Sequence, residues 1–281
     1  MSLAGFSPKA GANLFSDNFE MLVVAETSKT SPQPKGSPAS AYCAVDGGFI
    51  EGGNPEAGDT PPTPDQVRQA LYDALKAQGF EANRAAPSLL LTYHWGVLRP
   101  DRQEIRLQYG VKTNLNARIR LVSTEALGDE VENHILGRQK ADGTNMNVSS
   151  PTLLVGPTET VVQLARHSRI FVIVTAYDYQ AMSEGHEVWP VWRVKLSAQE
   201  TSGGMDQVIP AMITTAAAYF GKNLPEPKIT ESRLAGNQGA GATPASLLQP
   251  APEAKVDSQL LHSILERERI EFSGVNPAIP N

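Results

Sequence analysis

The chain has 281 residues, of which 41% are apolar, with a formal net charge of −6. That length buries one large core or two small ones. The acidic balance argues against general nucleic-acid binding, which leans on excess Lys and Arg. The longest apolar runs fall short of eighteen residues, so no transmembrane helix is expected.

The single cysteine, Cys43, leaves no partner for an internal disulfide and no Cys-rich zinc site. It reads as a small buried hydrophobe, with a reactive thiol as the lesser alternative. The start, Met-Ser-Leu-Ala-Gly-Phe, has no basic region followed by an apolar core and does not read as a signal peptide. Leu3-Ala4-Gly5 resembles the end of a lipoprotein cleavage box, yet Phe6 stands where the lipid-bearing Cys belongs.

In chain order, residues 1–18 read as an N-terminal arm, and Phe19–Glu26 as the first strand. Residues 27–62 form a Pro/Gly-rich insertion that contains a possible short strand, Ala41–Glu51, turning at Asp46-Gly47-Gly48. A phosphate-cradling loop there would need a Gly-Lys-Ser/Thr ending, which is missing. Thr63, Pro64 and Gln66 make a capping box, and Val67, Ala70, Leu71, Ala74 and Leu75 share one helical face. Gly79 ends that helix, with Phe80 placed to fold back on it.

Ser88–Trp95 reads as a strand. Residues 96–115 read as a long connection. Asn116–Ser123 alternates, with Ala117, Ile119 and Leu121 opposite Arg118 and Arg120, which predicts a half-buried strand. Thr124–Arg138 is expected to be helical. Residues 139–151 are polar and include the sequon Asn147-Val148-Ser149. Thr158–Ser168 suggests a short helix.

The organising stretch is Arg169–Phe220. Arg169–Tyr179 is apolar on both faces at its start, the pattern of a covered central strand. A polar loop over 180–186 leads to a second strand, Glu187–Ser197, with Pro190 at an edge, end or bulge. Trp189 and Trp192 are expected as core or edge cover, with sugar stacking as the minority reading. Met205–Phe220 carries a long apolar helical stripe. Pro210 predicts a helix that starts near Gln207 or bends at the proline.

Residues 224–256 read as a Pro/Gly/Ala-rich linker, and 257–281 as an amphipathic helix and tail. That helix lacks a partner face of its own and should dock on the main domain, on another copy or on another protein. The expected fold is therefore α+β, a single domain over 19–223. A mostly antiparallel sheet has two or more helices, bearing Leu71, Leu75, Val208, Met212 and Ile213, packed on one face.

Four blocks carry a family resemblance: Arg68–Phe80, Leu89–Trp95, Val191–Ser197 and Val208–Gly221. A helix precedes a polar-Tyr strand, and a Trp-Arg strand precedes a Pro-containing helix ending in Tyr-Phe-Gly. Over roughly 19–223 the chain resembles a domain-of-unknown-function family of bacterial cell-envelope lipoproteins. The resemblance implies an α+β sheet with helices and an envelope or periplasmic setting. It carries no catalytic residues, and the chain departs from the pattern in its missing anchor Cys and its long tail.

Motifs for chemistry are sparse. His94, His134, His167, His186 and His262 fall in no metal-ligand spacing, so neither metal nor cofactor is expected. No Gly-x-Ser-x-Gly elbow occurs. His94, within a strand, and Asp178, at the end of the central strand between Tyr177 and Tyr179, are the catalytic candidates. The plainer reading is a hydrogen-bonded His and a strand-ending Asp. Glu184 and Glu187 read as loop charges. Arg118, Arg120, Arg193 and Lys195 are the binding candidates, a cationic strip if their two strands share a sheet. The plainer alternative is a solvated, charge-paired face.

Two functions follow. The first is a non-catalytic envelope or protein-interaction protein, joined through its C-terminal segment to another protein or to itself, with no nucleic acid and no membrane span. The second is a hydrolase or small-ligand binder whose His94 and Asp178 meet near the end of the central strand.

Overall fold

The computed structural model describes residues 18–28, 41–54, 60–100, 114–135, 156–184, 188–234 and 257–273. Residues 1–17 of the N-terminal arm, residues 29–40 and 55–59 of the insertion, residues 101–113 of the long connection, the sequon, His186, Glu187, residues 235–256 and residues 274–281 of the tail lie outside this set.

Seven strands form one mixed sheet in the order β3-β2-β4-β5-β6-β1-β7. They are β1 (Asn18–Thr27), β2 (Ala41–Gly52), β3 (Glu81–Ala82), β4 (Leu89–Leu98), β5 (Arg169–Asp178), β6 (Pro190–Gln199) and β7 (Lys228–Arg233). The sheet is mostly antiparallel, but β2 runs parallel to both β3 and β4. A parallel pair needs a crossover, and α1 (Pro64–Ala77) lies between β2 and β4 in the chain. Strand β5 is central as expected, antiparallel to β4 and β6 and buried at every position except Asp178.

Helix α1 begins as its sequence dictates. The Thr63 hydroxyl accepts from the Gln66 amide, and the Thr63 amide donates to Gln66 Oε1. Gly79 takes φ +81°, and the Phe80 amide returns to the Leu75 carbonyl. A left-handed residue at that point closes the last turn, and glycine adopts it at least cost.

Helices cover both faces of the sheet. On one, α1 and α6 (Met205–Ala216) pack Val67, Leu71, Leu75, Val208, Met212 and Ile213 against Tyr93, Val172, Val174 and Leu196. On the other lie α2 (Leu115–Val122), α3 (Glu125–Ile135), α4 (Pro157–Ala165) and α7 (Ser258–Ser273). The helices are therefore not confined to the face that carries α1 and α6. A strand buried on both sides, such as β5, needs a layer on each. A short helix, α5 (Tyr179–Ser183), follows β5 where a loop is expected, capped by the Asp178 carboxylate.

Four further elements depart from expectation. The alternating stretch 116–123 is helix α2, not a strand. Arg118 is fully buried along with Ala117, Ile119, Leu121 and Val122, so period two carries no information about which side is wet. Helix α6 starts at Met205 and runs through Pro210. Burial of Met205, Val208 and Ile209 holds the turn ahead of the proline, against a penalty of about 3 kcal/mol for a proline in a helix interior. Within the expected linker, 228–233 forms edge strand β7 on β1. Strand β2 is continuous where a turn is expected, and Asp46-Gly47-Gly48 makes a bulge.

Candidate functional site

Alternation along three neighbouring strands aims a set of polar side chains at the face shared by α2 and α7. Thr92 and His94 come from β4, Thr175 and Tyr177 from β5, and Arg193 and Lys195 from β6. Thr92, Thr175 and Arg193 stand in one row of the ladder. Covering them is α7, whose fully buried positions are Ile264, Glu268 and Phe272, spaced by four. One helical stripe thus carries a carboxylate between two apolar residues.

Glu268 is the centre of the cluster. Its side chain is 0% exposed and that of His94 is 1% exposed. Oε2 lies 3.2 Å from His94 Nε2, Oε1 accepts the Tyr177 hydroxyl at 2.8 Å, and Arg193 Nη2 stands 3.8 Å from Oε1. Burial on its own would raise the Glu268 pKa. The hydrogen bond from His94, the charges of Arg193 and His94, and a bond from Thr175 outweigh it and hold the carboxyl down at about 2. An ionised carboxylate only accepts, so Nε2 carries the proton of the His94–Glu268 bond. Nδ1 of His94 has no hydrogen-bond partner among the described residues. The ring lies against Gly47, where a Cβ would come within 2.2 Å of it. The bulge glycine is what admits the imidazole.

Arg193 extends the cluster along α7. Nη1 donates to Glu271 Oε1 at 3.0 Å, Nε donates to Thr175 Oγ1, and the guanidinium lies over the Phe272 ring. Burial pulls its pKa down, but the carboxylates of Glu271 and Glu268 more than offset this and raise it. Lys195 binds elsewhere. Its ammonium donates to the carbonyls of Arg120 and Ser123 at the C-terminal end of α2, and it pairs with Glu26 at 3.2 Å. Carbonyls at a helix C-terminus attract cations. Burial still lowers the Lys195 pKa, despite Glu26.

The binding candidates therefore do not form one exposed strip. Arg193 and Lys195 do share a sheet face, but helices cover it. Arg118 and Arg120 sit on α2: Arg118 donates to the Ala165 and Arg99 carbonyls and to Asn114, and Arg120 pairs with Glu132 and Asp129. The structure also separates the catalytic candidates. His94 faces Ile173 and Asp178 faces Leu89, five positions apart on the β4–β5 ladder and roughly 17 Å at the strand rise. Alternation places them on opposite faces of the sheet. Asp178 accepts the Ala181 amide as a helix cap.

Other candidates take plain places. His167, His262 and Glu184 are exposed. Cys43 is buried, and burial pushes its thiol up to about 11. Trp192 packs between Phe80 and Phe220, whereas Trp189 is 61% exposed and belongs to no core. Among the described residues, no three His, Cys, Asp or Glu side chains are grouped to hold a metal ion. No described helix is long and apolar enough to cross a membrane.

Sequence reasoning missed Glu268, Glu271 and Tyr177 as partners of His94 and Arg193. One signal was available: Glu268 falls four residues after Ile264 and four before Phe272, on the apolar stripe of α7. Nothing in the sequence tells which strands that stripe meets.

No protein-family model and no curated protein matches the chain. Among solved structures, a variant PelC dodecamer from Paraburkholderia phytofirmans aligns at TM-score 0.30 and 10% identity, over 73% of this chain and 99% of that one. A PDZ domain protein from Parabacteroides distasonis aligns at TM-score 0.41 and 8% identity, over 90% of this chain and 53% of that one.

Proposed function

We propose that this chain is a non-catalytic interaction protein of the bacterial envelope, and that its C-terminal helix is the element through which it joins another protein or another copy of itself. The observation that carries this reading is the way α7 docks. A fully buried glutamate on the helix is gripped by His94, Tyr177 and Arg193 from three strands. The groups that would otherwise suggest chemistry are engaged in holding a helix. Both Glu268 oxygens are taken, and α7 closes the cluster from solvent.

The envelope setting rests on the family resemblance of the four sequence blocks. The acidic charge fits a protein partner better than nucleic acid.

Light scattering of the intact chain over a concentration series, joined to chemical crosslinking, tests the reading. The expected result is a mass above the monomer, with intermolecular crosslinks falling in 257–273. A chain that stays monomeric to about 100 µM, roughly −5.5 kcal/mol of association, and crosslinks to no partner would overturn it.

A further inference from the structure

Beside the N-terminal end of α1 lies an open cleft of about 480 Å³, lined by Asp46, Phe49, Pro61, Pro62, Pro64 and Trp95. That volume falls among small-molecule sites, which run from roughly 300 to 1,000 Å³. Phe49, Tyr93 and Trp95 belong to the core under α1 and α6, so the cleft is on the other side of the sheet from α7. The bulge in β2 shapes one wall. Gly48, at φ +88°, has open space where a side chain would stand. The other wall is the proline-rich approach to α1, whose rings fix the backbone and leave little to be ordered on binding.

The cleft carries its charge at the rim and its aromatic surface below. Asp46 is exposed, and its Oδ1 accepts the Gly48 amide at 2.8 Å. Arg68 acts on Asp46, but the same guanidinium pairs with Asp65 at 3.0 Å. One cation thus answers two carboxylates. Partial burial raises the Asp46 pKa, and the Gly48 amide and Arg68 oppose this without cancelling it. A further cation at the rim would favour the ionised carboxylate. Deeper in, Trp95 is 2% exposed and stacks on Tyr93 with ring centroids 5.9 Å apart. Its buried Nε1 has no hydrogen-bond partner among the described residues, although a buried indole N–H ordinarily finds one.

A carboxylate above aromatic rings, between rigid apolar walls, suits an organic cation, which both the carboxylate and the ring faces attract. An anion would meet Asp46 with like charge, and a neutral molecule would forgo it. We propose that this cleft binds a small organic ammonium ion, its charge against Asp46 and its apolar body against Phe49 and Trp95. The site is separate from the interaction reading above, which concerns the opposite face of the sheet.

The test titrates the full-length, ¹⁵N-labelled chain with benzylammonium and with benzyl alcohol, two probes of one shape that differ in charge. The assigned indole N–H signal of Trp95 is the readout. Benzylammonium should shift it with a Kd below about 10 mM. It should bind at least about tenfold more tightly than benzyl alcohol, the factor expected for a bond to a charged group. Asp46→Asn, a change at an exposed position, should abolish that preference. Equal affinity for the two probes, a preference that survives in the variant, or a Trp95 signal unmoved by benzylammonium would each overturn the proposal. The comparison of probes on the unaltered chain decides it even if the variant does not fold.

Discussion

The two faces of the sheet are both buried, yet they are held by different physics. Under α1 and α6 the contacts are mainly apolar, with Val172, Val174, Val194 and Leu196 meeting Val208, Met212 and Ile213, and polar bonds such as Ser232 to Ala211 and Thr215 lie at the edge. Such a face is stabilised by area and by packing, which are graded and non-directional. Under α2 and α7 the sheet presents His94, Tyr177, Arg193 and Lys195, and the helices return carboxylates and carbonyls. There stability depends on matching, and a missing partner costs far more than its bond contributed. The apolar face suits permanent packing. The charged face suits an element whose identity must be checked.

The strongest way to break the comparison is Glu268→Ala. It removes the acceptor of His94 and Tyr177 in a dry site and leaves Arg193 to Glu271 alone, with an expected loss of about 4 kcal/mol in urea unfolding. A loss under about 1 kcal/mol would mean that α7 is held by Ile264 and Phe272 alone.

Acid should act on the charged face selectively. The folded-state pKa of Glu268 lies below its ordinary value. Its contribution is therefore complete above about pH 4.5 and disappears as pH falls towards 2, on the order of 3 kcal/mol. Glu268→Gln should flatten that part of the stability–pH curve. An unchanged slope in the variant would place the acid sensitivity elsewhere.

The apolar face should respond by increments. Ile213→Val removes one buried methylene, with an expected cost of about 1 kcal/mol and no change in pH dependence. A loss several times larger would show that this face, too, depends on exact matching.

The smallest effect is expected at Arg169. It is 3% exposed and, among the described residues, its side chain donates only to the Ser197 hydroxyl and carbonyl and leaves Nε without a partner. Burial, with no carboxylate beside it among the described residues, lowers its pKa to about 10. Arg169→Met should change stability by under about 1 kcal/mol, or raise it, because an uncompensated buried charge is removed. A loss above about 3 kcal/mol would mean that the guanidinium holds the end of β5 in place.

Legibility in the sequence followed the range of the forces involved. The cap of α1, its glycine stop, the central strand β5 and the stripe of α6 are set by neighbours within a few residues, and each stands where its pattern places it. Residues 116–123 misled because alternation and helical burial look alike in eight residues when both sides are covered. Strand β7 was hidden among prolines and charges because an edge strand needs only backbone pairing on one side.

By itself the sequence determined an α+β chain, its principal helices and strands, and an amphipathic terminal helix in need of a partner. Only the tertiary structure decided that His94 answers to Glu268 and not to Asp178, because that depends on strand order and facing. Sheet register brings residues 94, 177 and 193 together, and docking adds residue 268, at separations no local pattern encodes. A charge on a strand looks the same whether water or a helix will cover it.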